Sequence, residues 1–219
     1  METNGADIIA DIVFYDKIYM LSSTHNLYIL EHGQYRFQPF AEDVLYISQN
    51  GRQNTILYLT SKGMVHIGTR QLDIRVPQGV RVISYMYDTG YFLLTMDNQL
   101  YLMNFKGDVE LLADRITHFC DLDYDMIIYG TDKTPNVVRS SKANYMLMLK
   151  SPVVSACYGR SGQFAVLSAN GDVRHHVDPY GKVNKSYHCP TARELRIILE
   201  EGRRMELVHQ DGGITLLGI

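Results

Sequence analysis

Short apolar runs separated by clusters of Ser, Thr, Asn, Asp and Gly recur along the whole chain. Ile18-Tyr19-Met20-Leu21 gives way to Ser22-Ser23-Thr24-His25-Asn26, and then to Leu27-Tyr28-Ile29-Leu30. Apolar runs of this length, bounded by turn-forming residues, read as strands rather than helices. Only Ala192 to Arg204 has a helical composition, and Leu195-Arg196-Ile197-Ile198-Leu199 within it reads equally well as a strand.

The polar clusters repeat in phase. A tight polar turn followed by a short apolar strand stands at Thr24–Tyr28, Ser61–Val65, Met96–Tyr101, Ala169–Val173 and Gln210–Ile214. Their turn residues Asn26, Gly63, Asn98, Gly171 and Gly212 lie 37 (63 − 26), 35 (98 − 63), 73 (171 − 98) and 41 (212 − 171) residues apart. The gap of 73 (171 − 98) is two periods, and its midpoint falls in another turn cluster, Thr131-Asp132-Lys133-Thr134-Pro135-Asn136. Asn-Gly and Asp-Gly predict two-residue hairpin turns with positive φ. Upstream strands are predicted at Ile8–Tyr15, Val44–Ser48, Val80–Tyr85, Ile116–Asp121, Val153–Tyr158 and Leu195–Leu199. Further strands enter each turn, and fourth strands follow at Gln71–Val76, Asp108–Leu112 and Lys182–Tyr187. Connections this short force antiparallel meanders. Six units of roughly 37 residues, each with four strands, are the content of propeller blades. The expected fold is therefore all-β, a compact β-propeller of about six short four-stranded antiparallel blades. It is expected to form one domain over residues 1–219.

The segment Val153-Val154-Ser155-Ala156-Cys157-Tyr158-Gly159, with Gln163-Phe164-Ala165-Val166-Leu167-Ser168-Ala169-Asn170-Gly171-Asp172-Val173, resembles one blade of the regulator-of-chromosome-condensation repeat family. The resemblance implies a propeller. The blades here are shorter and lack that family's long Gly-Gln-Leu-Gly insertion, so no exchange-factor activity and no functional residue is carried over. The last unit runs out at Gly213–Ile219 with no residues for an outer strand. Either Glu2–Ala6 supplies that edge or the sixth sheet has three strands.

Bulk composition narrows the function classes. Hydrophobic residues make up 46% and charged residues 21%, ordinary for a globular chain, and the net charge is −3. No run of Lys and Arg suggests a nucleic-acid face, so no nucleic acid is expected as a partner. Cys120, Cys157 and Cys189 are odd in number and far apart, which predicts three reduced thiols and an intracellular protein. Met1–Asp7 has neither the basic nor the apolar region of a signal peptide, and no window approaches a membrane span. A soluble cytoplasmic or nuclear protein is expected, with no membrane partner.

Each candidate for chemistry has a plainer reading. His175-His176 with His188-Cys189 are zinc-type ligands, but adjacent strand residues point to opposite faces, and a surface strand pair is expected. Asp121, Asp123 and Asp125 stand at alternate positions, and oxygen-rich clusters suit calcium. The glycine and terminal Glu of a calcium loop are missing, and a solvated turn is expected. Cys157 stands in an apolar strand and is expected to pack rather than react. Gly159-Arg160-Ser161-Gly162 lacks the spacing and Lys of a phosphate loop. The chain has no Trp, which disfavours a sugar site, while its 10 Met and 16 Tyr supply adaptable contact surface. No catalytic, cofactor-binding or metal residue is assigned and no cofactor is expected. The expected function is a non-catalytic protein-interaction or structural scaffold module with protein partners. The alternative is a ligand-binding or catalytic propeller with its site at the channel mouth.

Overall fold

The computed structural model describes residues 7–13, 16–50, 55–122, 125–158, 163–199 and 204–218. They form antiparallel sheets in which every strand pairs only with its neighbours in sequence. Sheet one holds β1 to β4 (Ile8–Val13, Lys17–Ser22, Leu27–Glu31, Gln38–Ala41) and sheet two β5 to β8 (Val44–Asn50, Thr55–Thr60, Met64–Ile67, Arg70–Arg75). Sheet three holds β9 to β12 (Val80–Met86, Gly90–Thr95, Leu100–Asn104, Val109–Ala113). Sheet four is β13 to β16 (Ile116–Asp121, Met126–Thr131, Val137–Ser140, Asn144–Met146) and sheet five β17 to β20 (Val153–Tyr158, Phe164–Ser168, Asp172–His176, Val183–His188). Sheet six has three strands, β21 to β23 (Ala192–Leu199, Arg204–His209, Ile214–Gly218). The ambiguous Ala192 region is thus a strand. Glu2–Ala6, the other route to completing sheet six, lies outside the described residues. The chain divides into two compact units, Met1–Leu112 and Ala113–Ile219.

The second strand of each sheet shows why apolar runs here are nearly continuous. In β6, Ile56 and Tyr58 pack into a cluster with Tyr19, Leu21 and Leu27 of sheet one. Leu57 and Leu59 face the other way, into a cluster with Ile83, Tyr91 and Leu93 of sheet three. In β18, Phe164 and Val166 join Ile128 and Val138 of sheet four, and Ala165 and Leu167 join Met205 and Leu207 of sheet six. Both pleat faces are covered, so the period of two separates one apolar core from the next instead of core from solvent.

Each first strand carries an extra residue at its second position: Ile9, Leu45, Arg81, Thr117, Val154 and Arg193 interrupt the register with the second strand, and β21 has a further shift between Leu195 and Ile198. The preceding residues Ile8, Val44, Val80, Ile116, Val153 and Ala192 recur at intervals of 36 (44 − 8, 80 − 44 and 116 − 80), 37 (153 − 116) and 39 (192 − 153). A bulge adds local twist, and its repetition gives every sheet the same bend at the same end.

The polar turns lie between the second and third strands of all six sheets. Their geometry differs from the two-residue expectation. His25, Gly63, Asn98, Gly171 and Gly212 each have positive φ and each donates its N–H to the carbonyl three residues back. This is a three-residue loop, a type I turn closed by one left-handed residue, which needs only a single positive φ. A hydroxyl at the strand end ties several of them: Ser22, Thr60, Thr95 and Ser168 each donate to the carbonyl four residues on.

Candidate functional site

His175 and His176 occupy β19, opposite Ala165 and Phe164 of β18. They face opposite sides of sheet five, as alternation requires. They are not the surface pair expected from sequence: their exposures are 2% and 1%. The reason is the double covering of the sheet, which the sequence around them does not advertise. His176 stacks on Phe164 with ring centroids 4.4 Å apart, and its Nδ1 lies 3.0 Å from the Gly181 carbonyl. Since a carbonyl only accepts, Nδ1 carries the proton, and Nε2 has no hydrogen-bond partner among the described residues. His175 Nδ1 lies 3.3 Å from Asn184 Nδ2 on the other face. Burial pushes both imidazoles below their ordinary pKa of 6.5, so both are held neutral.

His188 is exposed and pairs with Asp172, Nδ1 to Oδ1 at 2.9 Å. That hydrogen bond, followed by one from Asn170, holds the Asp172 carboxyl below the usual carboxylate range. Cys189 packs at the edge of the cluster containing Ala192 and Leu195. The four zinc-type residues are therefore dispersed over two faces and an edge. Among the described residues no three His, Cys, Asp or Glu side chains come together as a metal set. Asp121 ends β13, Leu122 is buried, and Asp125 accepts from the Ser141 N–H and hydroxyl, which anchors a turn. Asp123 lies outside the described residues, as does Gly159-Arg160-Ser161-Gly162. Cys157 is buried and its thiol is pushed up to about 12 by desolvation, as is that of Cys120. A thiol so displaced carries almost no thiolate at neutral pH and is a poor nucleophile.

Asn136 belongs to no reading of the sequence beyond a turn, yet its side chain makes several contacts just ahead of β15. It is buried, accepts from Val153 N–H at 2.8 Å through Oδ1, and donates to the Ser151 carbonyl at 3.1 Å. Its Oδ1 also lies 3.2 Å from His118 Nε2. These bonds fasten the start of β17 to sheet four.

Groups open to solvent tell a different story. The exposed aromatics among the described residues are Tyr35, Tyr87, Phe105 and Tyr180, with Tyr35 99% exposed. All four stand in turns joining first to second or third to fourth strands, the end of each sheet opposite the hydroxyl-tied turns. Phe105 edges onto Tyr91 at 5.6 Å, which fixes one of them on a buried aromatic base. Sequence reasoning counted the tyrosines without telling these apart; the polar or turn-forming residue next to each, Gln34, Asp88, Lys106 or Gly181, was the available signal.

No protein-family model matches the chain, and no curated protein resembles it in sequence. Solved structures do resemble it in fold. The C-terminal WD40 domain of Sif2 matches at TM-score 0.63 and 8% identity, over 100% of this chain and 68% of that one. YCF48 bound to D1 peptide matches at TM-score 0.63 and 9% identity, over 97% and 78%. BBS1N in complex with ARL6DN matches at TM-score 0.63 and 14% identity, over 91% and 74%. With six antiparallel meanders of the blade type, these likenesses make the fold a β-propeller.

Proposed function

We propose that this chain is a non-catalytic protein-interaction or scaffold module of an intracellular protein, built from repeats of the kind that the Val153–Val173 segment resembles. The observation that carries this reading is the confinement of the exposed aromatics among the described residues to turns at one end of their sheets. Tyr and Phe held on short turns offer contact area at low entropic cost, and aromatic residues are enriched where protein surfaces meet. Two neighbours in fold are described with polypeptide partners, D1 peptide for YCF48 and ARL6DN for BBS1N. Cys120 and Cys157 pack in apolar clusters and His175 and His176 are buried on opposite faces of one sheet, and burial displaces the pKa of all four. Affinity capture from native lysate, with mass spectrometry of the retained proteins, tests the reading. Specific protein partners retained by the wild-type chain and reduced by Tyr35→Ser with Tyr180→Ser are expected. Retention of nucleic acid or lipid without protein would refute it.

A further inference from the structure

Charge is spread unevenly along this chain. Between Lys133 and Arg193 stand nine Lys or Arg and only two acids, Asp172 and Asp178, in a protein of net charge −3. Both acids are engaged locally. Asp172 binds His188 and Asn170, and Asp178 accepts from the N–H groups of Tyr180 and Lys182. The exposed ammonium groups of Lys142, Lys150 and Lys182 make no ion pair among the described residues.

Two contacts place this charge beside apolar surface. Gly181, in the turn between β19 and β20, lies against the Tyr145 ring so closely that a Cβ would stand 2.8 Å from it. Arg174 of β19 donates through Nη1 to the Met148 carbonyl at 2.9 Å. The outer edge of sheet four, from β16 to Lys150, is thereby laid along the β19–β20 hairpin. Met146, Met148, Tyr180 and Val183 are exposed there, Met148 at 81%. Met146, Met148, Tyr180 and Val183 thus share this edge and hairpin with Lys142, Lys150 and Lys182.

We propose that this surface docks an extended acidic polypeptide segment carrying apolar side chains, supplied by a protein partner. The proposal rests on the interaction-module reading above and names its surface and its partner's chemistry. Charge complementarity selects the acids: one sign of charge without internal partners draws in the other. Met and Tyr adapt to varied apolar side chains, which selects the alternating component. β16 and β20 are outer strands with a free edge, so an extended segment can also pair its backbone there. A nucleic acid would satisfy the lysines and leave Met146, Met148 and Val183 in water. A membrane would cover the methionines and leave the strand edges without hydrogen-bond partners.

Fluorescence anisotropy with a labelled synthetic peptide, Asp and Glu alternating with Leu and Phe, tests the proposal. Saturable binding that weakens as salt rises from about 0.05 M to about 0.3 M is expected, since surface charges are screened over that range. The triple variant Lys142→Glu, Lys150→Glu, Lys182→Glu should lose about tenfold or more in affinity at low salt. Met148→Asp with Tyr180→Ser should weaken binding at every salt concentration. All five positions are exposed, and an unchanged melting curve verifies that the variants fold. Absence of peptide binding, equal binding by the charge-reversed variant, or equal binding of a peptide with Ser in place of Leu and Phe would overturn the proposal. Tighter binding to phosphatidylserine vesicles or to a single-stranded oligonucleotide would do the same. If lysate partners are retained equally by wild type and the charge-reversed variant, the interaction-module reading survives and only this surface is refuted.

Discussion

At Gly171 and Gly212 one backbone geometry meets two surroundings. Both residues close a three-residue turn, with φ of 85° and 84°. A Cβ on Gly212 would meet nothing within 4 Å, whereas one on Gly171 would stand 2.5 Å from Pro190 Cα and 2.8 Å from the Cys189 carbonyl. Gly212→Ala should therefore cost only the left-handed strain, about 1–2 kcal/mol. Gly171→Ala must also displace the backbone entering sheet six, and should cost clearly more, as paired denaturant titrations would show. Equal losses would mean that the Cys189–Pro190 segment yields freely. Asn-Gly and Asp-Gly correctly marked where these turns lie, because few other pairs tolerate positive φ. They did not separate a two-residue hairpin from a type I turn plus one left-handed residue, since both place glycine or asparagine at the same point. His175 and His176 were misplaced for a related reason: alternation assigns opposite faces but does not reveal that both are covered.

Among the elements, β23 is the exception. Third strands elsewhere are flanked on both sides, while among the described residues β23 pairs with β22 alone, from Arg204↔Gly218 to Val208↔Ile214. Ile214 and Leu216 are exposed, and Leu217 packs against the cluster of Met205 and Leu207. Removing 213–219 should uncover the edge of β22 together with that cluster. Burying one such side chain contributes about 1.5–3 kcal/mol, within a usual total of about 5–15 kcal/mol. A large fall in melting temperature or aggregation is expected for this truncation; an unchanged melt would show that β22 needs no partner on that side. Strands such as Ile116–Asp121 and Val153–Tyr158 coincide with their sequence readings, because β-branched and aromatic runs end abruptly at polar turns. Ala192–Leu199 was ambiguous because Ala, Arg, Glu and Leu are good helix formers, and only its packing on sheet five settles the matter.

Over the whole molecule, four histidines share one electrostatic situation. His66, His118, His175 and His176 are each pushed below 6.5 by burial. The unfolded chain therefore binds more protons than the native one as pH falls below 6.5, and stability is lost progressively in that direction. Melting temperatures should be level between about pH 7 and pH 8 and decline through the acid range below 6.5, a window set by imidazole rather than carboxylate titration. The variant His176→Phe, which keeps an aromatic ring on Phe164, should make that decline shallower. A decline of unchanged steepness would remove His176 from the account. The charge skew between Lys133 and Arg193 escaped the sequence reading because a net value averages it away, and no three lysines are adjacent. The unbroken neighbour-to-neighbour order of the strands has one more consequence, which concerns synthesis. Chains are made from the N-terminus at about 5–20 residues per second, and domains can fold as they emerge. Each meander here is complete once its own consecutive strands have been made, and none of those described waits for a strand encoded far downstream. At any moment of translation the newest meander still awaits its downstream neighbour, so this strand order lets the protein fold a sheet at a time as it emerges.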